Sequence, residues 1–193
     1  MTKIQLIDRN KPMCNIWKYF FKDIPDVIVH HGDFFDLPTD CVVSPANSFG
    51  YMDGGLDLAI SMVIGWQVQE KLQKQIKEKY NGELLVGQAE LVETDNRDIP
   101  FCISAPTMRV PMILEKTPNV YLAARAVFLL LKQEEERIKT VTMSGFGTGV
   151  GKVPYDLCAK QMRMAYDDIM LGLYEFPKSW EESSEKHYNT IGM

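Results

Sequence analysis

Two stretches of this chain can hold an anion without massed cations. The first runs Cys41-Val-Val-Ser-Pro-Ala-Asn-Ser-Phe-Gly-Tyr-Met-Asp-Gly-Gly-Leu-Asp57, and the second Val141-Thr-Met-Ser-Gly-Phe-Gly-Thr-Gly-Val-Gly-Lys-Val-Pro154. In each, a short buried-looking strand enters a loop with several glycines, and the loop enters a helix N-terminus. Such loops expose backbone N–H groups, and the helix start adds partial positive charge, which together suit a phosphate. One such loop is explained well enough by tight turns. Two, each between strand and helix, point to a site. Neither is a familiar nucleotide motif. The second reads GxGxGxG, not GxGxxG, and Gly151-Lys152-Val153 lacks the Ser or Thr of a P-loop. A dinucleotide oxidoreductase and a P-loop kinase are therefore set aside.

The composition fits a backbone-held ligand. A formal net charge of −5 over 193 residues argues against a broad phosphate-tracking surface, and so against nucleic acid as the partner. Apolar residues at 46% and charged residues at 24% are ordinary for a soluble globular protein, and the length suits one domain. No apolar run approaches the roughly 18 residues of a membrane span. The start, MTKIQLIDRNKPM, is polar where a signal peptide would be apolar. A cytoplasmic protein is expected. Cys14, Cys41, Cys102 and Cys158 form no CxxC pair and read as small buried hydrophobes in a reducing compartment. His30 and His31 are adjacent, so on a strand they point to opposite faces. No metal and no cofactor is expected.

The elements that must position the two loops follow from apolar periodicity and its breakers. Lys3 to Ile7 reads as a strand. Asp8 and Asn10 read as capping residues for a helix with Pro12 near its start, running to about Phe21. Val27-Ile28-Val29 and Cys41-Val42-Val43 are the next strands. Leu56 to about Lys79 reads as one helical stretch, ended by Asn81-Gly82. Glu83 to Glu93 is strand-like with Gly87 as a bulge, and Phe101-Cys102-Ile103 is a short strand. Pro118 opens a long helix, Val141 to Met143 forms a strand, and Pro154 stands at the N1 position of a helix to about Leu171. A short helix is expected around Trp180 to His187. Alternating strands and helices predict an α/β protein, with helices on both faces of a mixed sheet. In open sheets of that kind the ligand crevice lies at the carboxyl ends of the strands.

At this point the sequence resembles the macro domain family. Gly32-Asp33-Phe34 looks like the family's Gly-Asp-Ile entry, and Pro45-Ala46-Asn47-Ser48 like its Asn-rich first loop. Gly54-Gly55-Leu56-Asp57 looks like the end of that loop, and Gly147-Thr148-Gly149-Val150 like its Ser-Thr-Gly-Val phosphate loop. The four motifs come in family order between Val27 and about Leu171. The resemblance implies a three-layer α/β/α fold over residues 1–193, with 172–193 as a C-terminal extension. It also implies ADP-ribose, or a small molecule or protein carrying it, as the ligand. Asp33 would accept from the adenine amino group, with the Phe34 backbone beside it. Asn47 would hold the distal ribose. Gly54, Gly55 and Leu56 would line the diphosphate and distal ribose from one side, and Gly147, Thr148, Gly149, Val150 and Gly151 would cradle phosphate from the other.

Asp57 follows Asn47 by ten positions, the spacing in the hydrolytic, MacroD-type branch, where the Asp helps position or activate water. The resemblance thus implies Asn47 and Asp57 as catalytic residues of a hydrolase. Its substrate would be a distal-ribose ester, phosphate or protein linkage of ADP-ribose. The alternative is a non-catalytic reader, with Asp57 a first-turn carboxylate that stabilises its helix dipole. Three departures stand out: Met52-Asp53 replaces two glycines, Gly151 replaces an aromatic residue, and the tail shows no clear closing strand. Tyr174, Phe176 and Trp180 are the tail's candidates for stacking on adenine.

Overall fold

The computed structural model describes residues 2–192. Six strands form one sheet: β1 (Lys3–Asp8), β2 (Val27–His31), β3 (Cys41–Ser44), β4 (Glu90–Glu93), β5 (Phe101–Ser104) and β6 (Thr140–Met143). Their spatial order is β2-β1-β6-β3-β5-β4. All neighbours are parallel except β4, which runs antiparallel to β5 at the edge. The helices are α1 (Lys11–Phe20), α2 (Gly55–Ile64), α3 (Gln67–Lys79), α4 (Asn119–Gln133), α5 (Tyr155–Ile169) and α6 (Trp180–Thr190). The expected mixed sheet in a three-layer α/β/α fold is what the chain adopts.

Strand periodicity divides the core into two. Cys41, Val43, Ile103, Val141 and Met143 face a cluster with Trp17 of α1, Phe128 of α4 and Tyr166 of α5. Val42, Cys102 and Val92 face the other way, into Ile60 and Ile64 of α2 and Leu72 and Ile76 of α3. Both faces of the central strands are thus buried, which explains why those strands read as continuous apolar runs. All four cysteines are free and buried.

Register is set at the amino ends of β3 and β6. The Asp40 carboxylate accepts from the backbone N–H groups of Lys139 and Thr140, both at 2.8 Å, and the Thr140 hydroxyl accepts from the Asp40 N–H at 2.8 Å. Cys41 then pairs with Val141, and Val42 with Thr142. Residues about a hundred positions apart become neighbours, and so do the loops that follow them.

Three expectations need correction. The stretch from Leu56 to Lys79 is two helices, because Gly65 caps α2 at φ 101°, ψ 149°, a conformation essentially restricted to glycine. Apolar periodicity resumes in phase with a helix on each side of Gly65 and so conceals the break. The strand expected from Glu83 covers only Glu90–Glu93, and Gly87, at φ 94°, lies in a turn before it, not in a bulge. Pro154 is the N-cap of α5 and not its N1 residue, and Asn10 caps α1 by position without a side-chain bond. The tail helix forms as expected and runs on to Thr190.

Gly65→Ala should lower unfolding stability by about 1–3 kcal/mol, the cost of forcing a side chain into that backbone region. A Cβ there would also displace the Gln67 side chain, which ties Ile64 to Thr94 through 2.8 and 2.9 Å bonds. A urea melt with an unchanged midpoint would contradict this account of the break.

Candidate functional site

The five strands that run parallel end on the same edge of the sheet, and a cleft of about 880 Å³ opens there. Asp8 and Arg9 enter it from the end of β1, Asp33 to Phe35 from β2, and Pro45 to Asn47 from β3. Thr107 and Met108 enter beyond β5, and Ser144 and Gly145 beyond β6. The residues that the two loops and the β2 end offered all line it: Asp33, Phe34, Asn47, Gly54, Gly55, Leu56, Asp57, Gly147, Thr148, Gly149, Val150 and Gly151.

Two sets of backbone donors open on this cleft. The first is the start of α2, where the N-cap is Gly54 and no side chain caps the helix. The N–H groups of Gly55, Leu56 and Asp57 therefore have no intrahelical partner. The second is the glycine loop after β6. It is folded back on itself: Val153 N–H donates to Gly147 O at 3.1 Å and Lys152 N–H to Gly149 O at 3.3 Å. The amides of Gly149, Val150 and Gly151 donate to none of the described residues. A Cβ at Gly149 or Gly54 would meet open space, so at both positions the backbone itself forms the wall. The α5 N-terminus, by contrast, does not line the cleft. The expectation that a helix dipole supports both loops holds for the first only.

Gly151 is required by packing. A Cβ there would lie 2.6 Å from Gly147 O and 3.0 Å from Leu114 Cδ1, and Gly151 O accepts from Leu114 N–H at 2.7 Å. No aromatic side chain fits at this position. Tyr51, 56% exposed on the first loop, supplies an aromatic to the cleft instead, with Val150 exposed on the second loop. Tyr174, Phe176 and Trp180 do not line it. Tyr174 lies under Arg125 and Lys186, and the structure brings none of these three candidates to the cleft.

Asn47 is largely occupied with its own loop. Its side-chain oxygen accepts from the N–H groups of Phe49 at 3.1 Å and Tyr51 at 3.3 Å, and its amide donates to Tyr51 O at 2.8 Å. One amide proton is left for a ligand. Asp33 is likewise engaged: one oxygen accepts from Phe35 N–H at 3.1 Å and the other pairs with Arg9. The Arg9 guanidinium, with the Phe35 N–H, holds that carboxyl below its usual range. Sequence reasoning missed Arg9, because nothing in a lone Arg after a strand shows which carboxylate it will meet. Arg9 is the one Lys or Arg lining the cleft among the described residues, against Asp8, Asp33, Asp53 and Asp57.

Residues 43–162 match the Macro domain, and an uncharacterized protein of Aquifex aeolicus is 34% identical over 137 residues, covering 71% of this chain and 78% of its own length. The chain belongs to the macro domain family. A second uncharacterized relative, from Sulfolobus acidocaldarius, is 27% identical over 71% of this chain and 72% of its own. In fold the chain is similar to the macrodomain of Mycobacterium tuberculosis DarG, with TM-score 0.60 and 20% identity over 71% of this chain and 87% of that one. It is also similar to a variant Oceanobacillus iheyensis macrodomain with ADPR, with TM-score 0.62 and 21% identity over 79% and 85% of the two chains.

Within this macro domain, Asp57 has the most perturbed environment of the cleft's carboxylates. It lies in the first turn of α2, and Ser44 Oγ, fully buried at the end of β3, donates to its Oδ1 at 2.6 Å. Burial pushes the Asp57 carboxyl up to about 6, the Ser44 bond opposes that shift, and the charge of Asp53 adds to it. The rise makes the charged form a liability to the fold. Between about pH 4 and 6 the folded state keeps a proton that the unfolded state has lost, so stability falls as pH rises through that window. Above it the penalty is complete, at most about 3 kcal/mol. Asp57→Asn should therefore raise the melting temperature at pH 8 and leave it little changed at pH 4. Equal melting temperatures at pH 8 would show that the carboxylate is solvated.

Proposed function

We propose that this macro domain binds ADP-ribose and hydrolyses a linkage at its distal ribose. The observation that supports binding most directly is the pair of unpartnered amide sets, from α2 and from the β6 loop, whose residues line one cleft. A diphosphate lies between them, held by N–H groups that carry partial positive charge and need no lysine. The likeness to a macrodomain with ADPR supports the same ligand.

The rest of the ligand is assigned by chemistry. Adenine goes to the β2 end, where Asp33 accepts from its amino group once Arg9 releases that oxygen. The distal ribose goes between Asn47 and Tyr51, beside Val150. Asp57, ionised above about pH 6, orients a water and takes its proton as the water adds to the linkage. The C–O or P–O bond to the leaving group breaks, and the leaving oxygen takes up the proton that Asp57 received. Ser44 keeps the carboxylate aimed. A base with that pKa combines an ionised form at neutral pH with a useful driving force for proton transfer. The substrate classes are a protein ester, an acetyl ester or a 1″-phosphate of ADP-ribose. A second reading, a reader without turnover, draws on Asn47, most of whose side chain is spent on its own loop.

Calorimetry and single-turnover hydrolysis on the same preparations separate these readings. Gly149→Glu should fold normally and lose ADP-ribose binding, since its side chain enters open space in the phosphate seat. Asp57→Ala should keep binding but lose about 10²–10⁴ in turnover, and the unmodified rate should rise with pH to a plateau above about 6. Binding with no turnover across the substrate panel would establish the reader. Full activity in Asp57→Ala would remove Asp57 from the chemistry.

A further inference from the structure

Ser104, the last residue of β5, is fully buried, and its Oγ has no hydrogen-bond partner among the described residues. Orphaned buried hydroxyls are uncommon, because losing water without gaining a partner costs stability. Its neighbour across the sheet is informative. β3 and β5 run parallel with Ser44 directly beside Ser104, so both side chains project from the same face one strand apart. That face also carries Val42 and Cys102 and is covered by α2, the helix that bears Asp57.

Two further observations place Asp57 over this pair of strands. Its Oδ1 is held by Ser44 Oγ from β3. Its charge also reaches the Cys102 thiol on β5, two residues before Ser104, and raises it further than burial does alone. We infer that Ser104 is a positioning residue for Asp57, the outer member of a Ser104–Ser44–Asp57 hydroxyl relay. Ser44 has one proton and gives it to Asp57, which leaves its lone pairs free to accept. Ser104 has one proton and no acceptor, and a turn about its Cα–Cβ bond swings that proton round to Ser44 Oγ. The turn is favoured when Asp57 ionises, since a hydroxyl that accepts a bond becomes a stronger donor. Glu90 flanks Ser104 on the β4 side but is taken by Tyr80, at 2.7 Å, and by Lys79. The other titratable groups facing Asp57 are Asp53 and Cys102.

The relay rests on the proposed base role of Asp57 for its purpose, though not for its detection. Carbon-13 NMR titration of the Asp57 carboxyl needs no substrate. Ser104→Ala, a small change in volume, should move the Asp57 midpoint up by roughly 0.5–1 pH unit, because a bond favouring the charged form is lost. Ser104→Thr should restore it. The midpoint of the pH–rate profile should move in step, with ADP-ribose affinity unchanged. Ser104→Ala should also lower the melting temperature at pH 8 but not at pH 4. If Asp57 moves in the titration while no substrate is turned over, the relay stands and the hydrolase reading fails. An unmoved Asp57, with Ser104→Ala simply more stable at every pH, would overturn the relay and leave Ser104 an unpaired hydroxyl.

Discussion

Everything at the site depends on β3 and β6 lying side by side. The two strands are about a hundred residues apart in the chain, and the Asp40 carboxylate fixes their register by accepting from two successive backbone N–H groups beside β6. A one-residue slip would turn every side chain of a strand to the opposite face. Here it would take Val42 out of the α2–α3 core and Ser44 away from Asp57. The same pairing puts the two glycine loops next to each other at the carboxyl edge. Neither amide set alone offers more than a partial charge; together at one cleft, they make the seat we propose for two phosphates.

An acidic cleft for an anionic ligand is then less paradoxical than it looks. Asp8 accepts from Asn10 N–H, and Asp33 is paired with Arg9, so two of the four carboxylates are occupied locally. Asp57 has its charge held down by burial, and only Asp53 stands in the open on the first loop. The carboxylate that is costly to the fold is the one to which we assign a use as base. Its rise to about 6 comes from the burial that destabilises its charge, and the proposed base would draw on that same rise.

How much of this was legible follows from the range of each interaction. β3, β6 and both loops were readable, because a buried strand is a run of apolar residues and a tight loop needs glycine. The loop and β2-end site residues were found as positions by resemblance, and they line the cleft, while the tail's three aromatic candidates do not. Their partners were not readable. The Ser44–Asp57 bond joins the end of a strand to the first turn of a helix, and Arg9 meets Asp33 only because β1 and β2 are neighbours. Local breaks were missed where one residue overrides a good pattern: Gly65 inside an amphipathic stretch, and Gly87 ahead of a short edge strand. The requirement for glycine at 151 comes from Leu114 and the carbonyl of Gly147, contacts that spacing does not reveal.

The central claim is that backbone amides, not cations, hold the ligand's diphosphate. The most direct test is the affinity for ADP-ribose, measured by calorimetry from low to moderate salt. Amide donors release no condensed counterions, and Arg9 is the one cationic side chain lining the cleft among the described residues. The account predicts a gentle decline, since salt screens the exposed charges at the rim but not bonds inside the cleft. A fall of several-fold for each doubling of salt, as multi-lysine phosphate sites show, would contradict it.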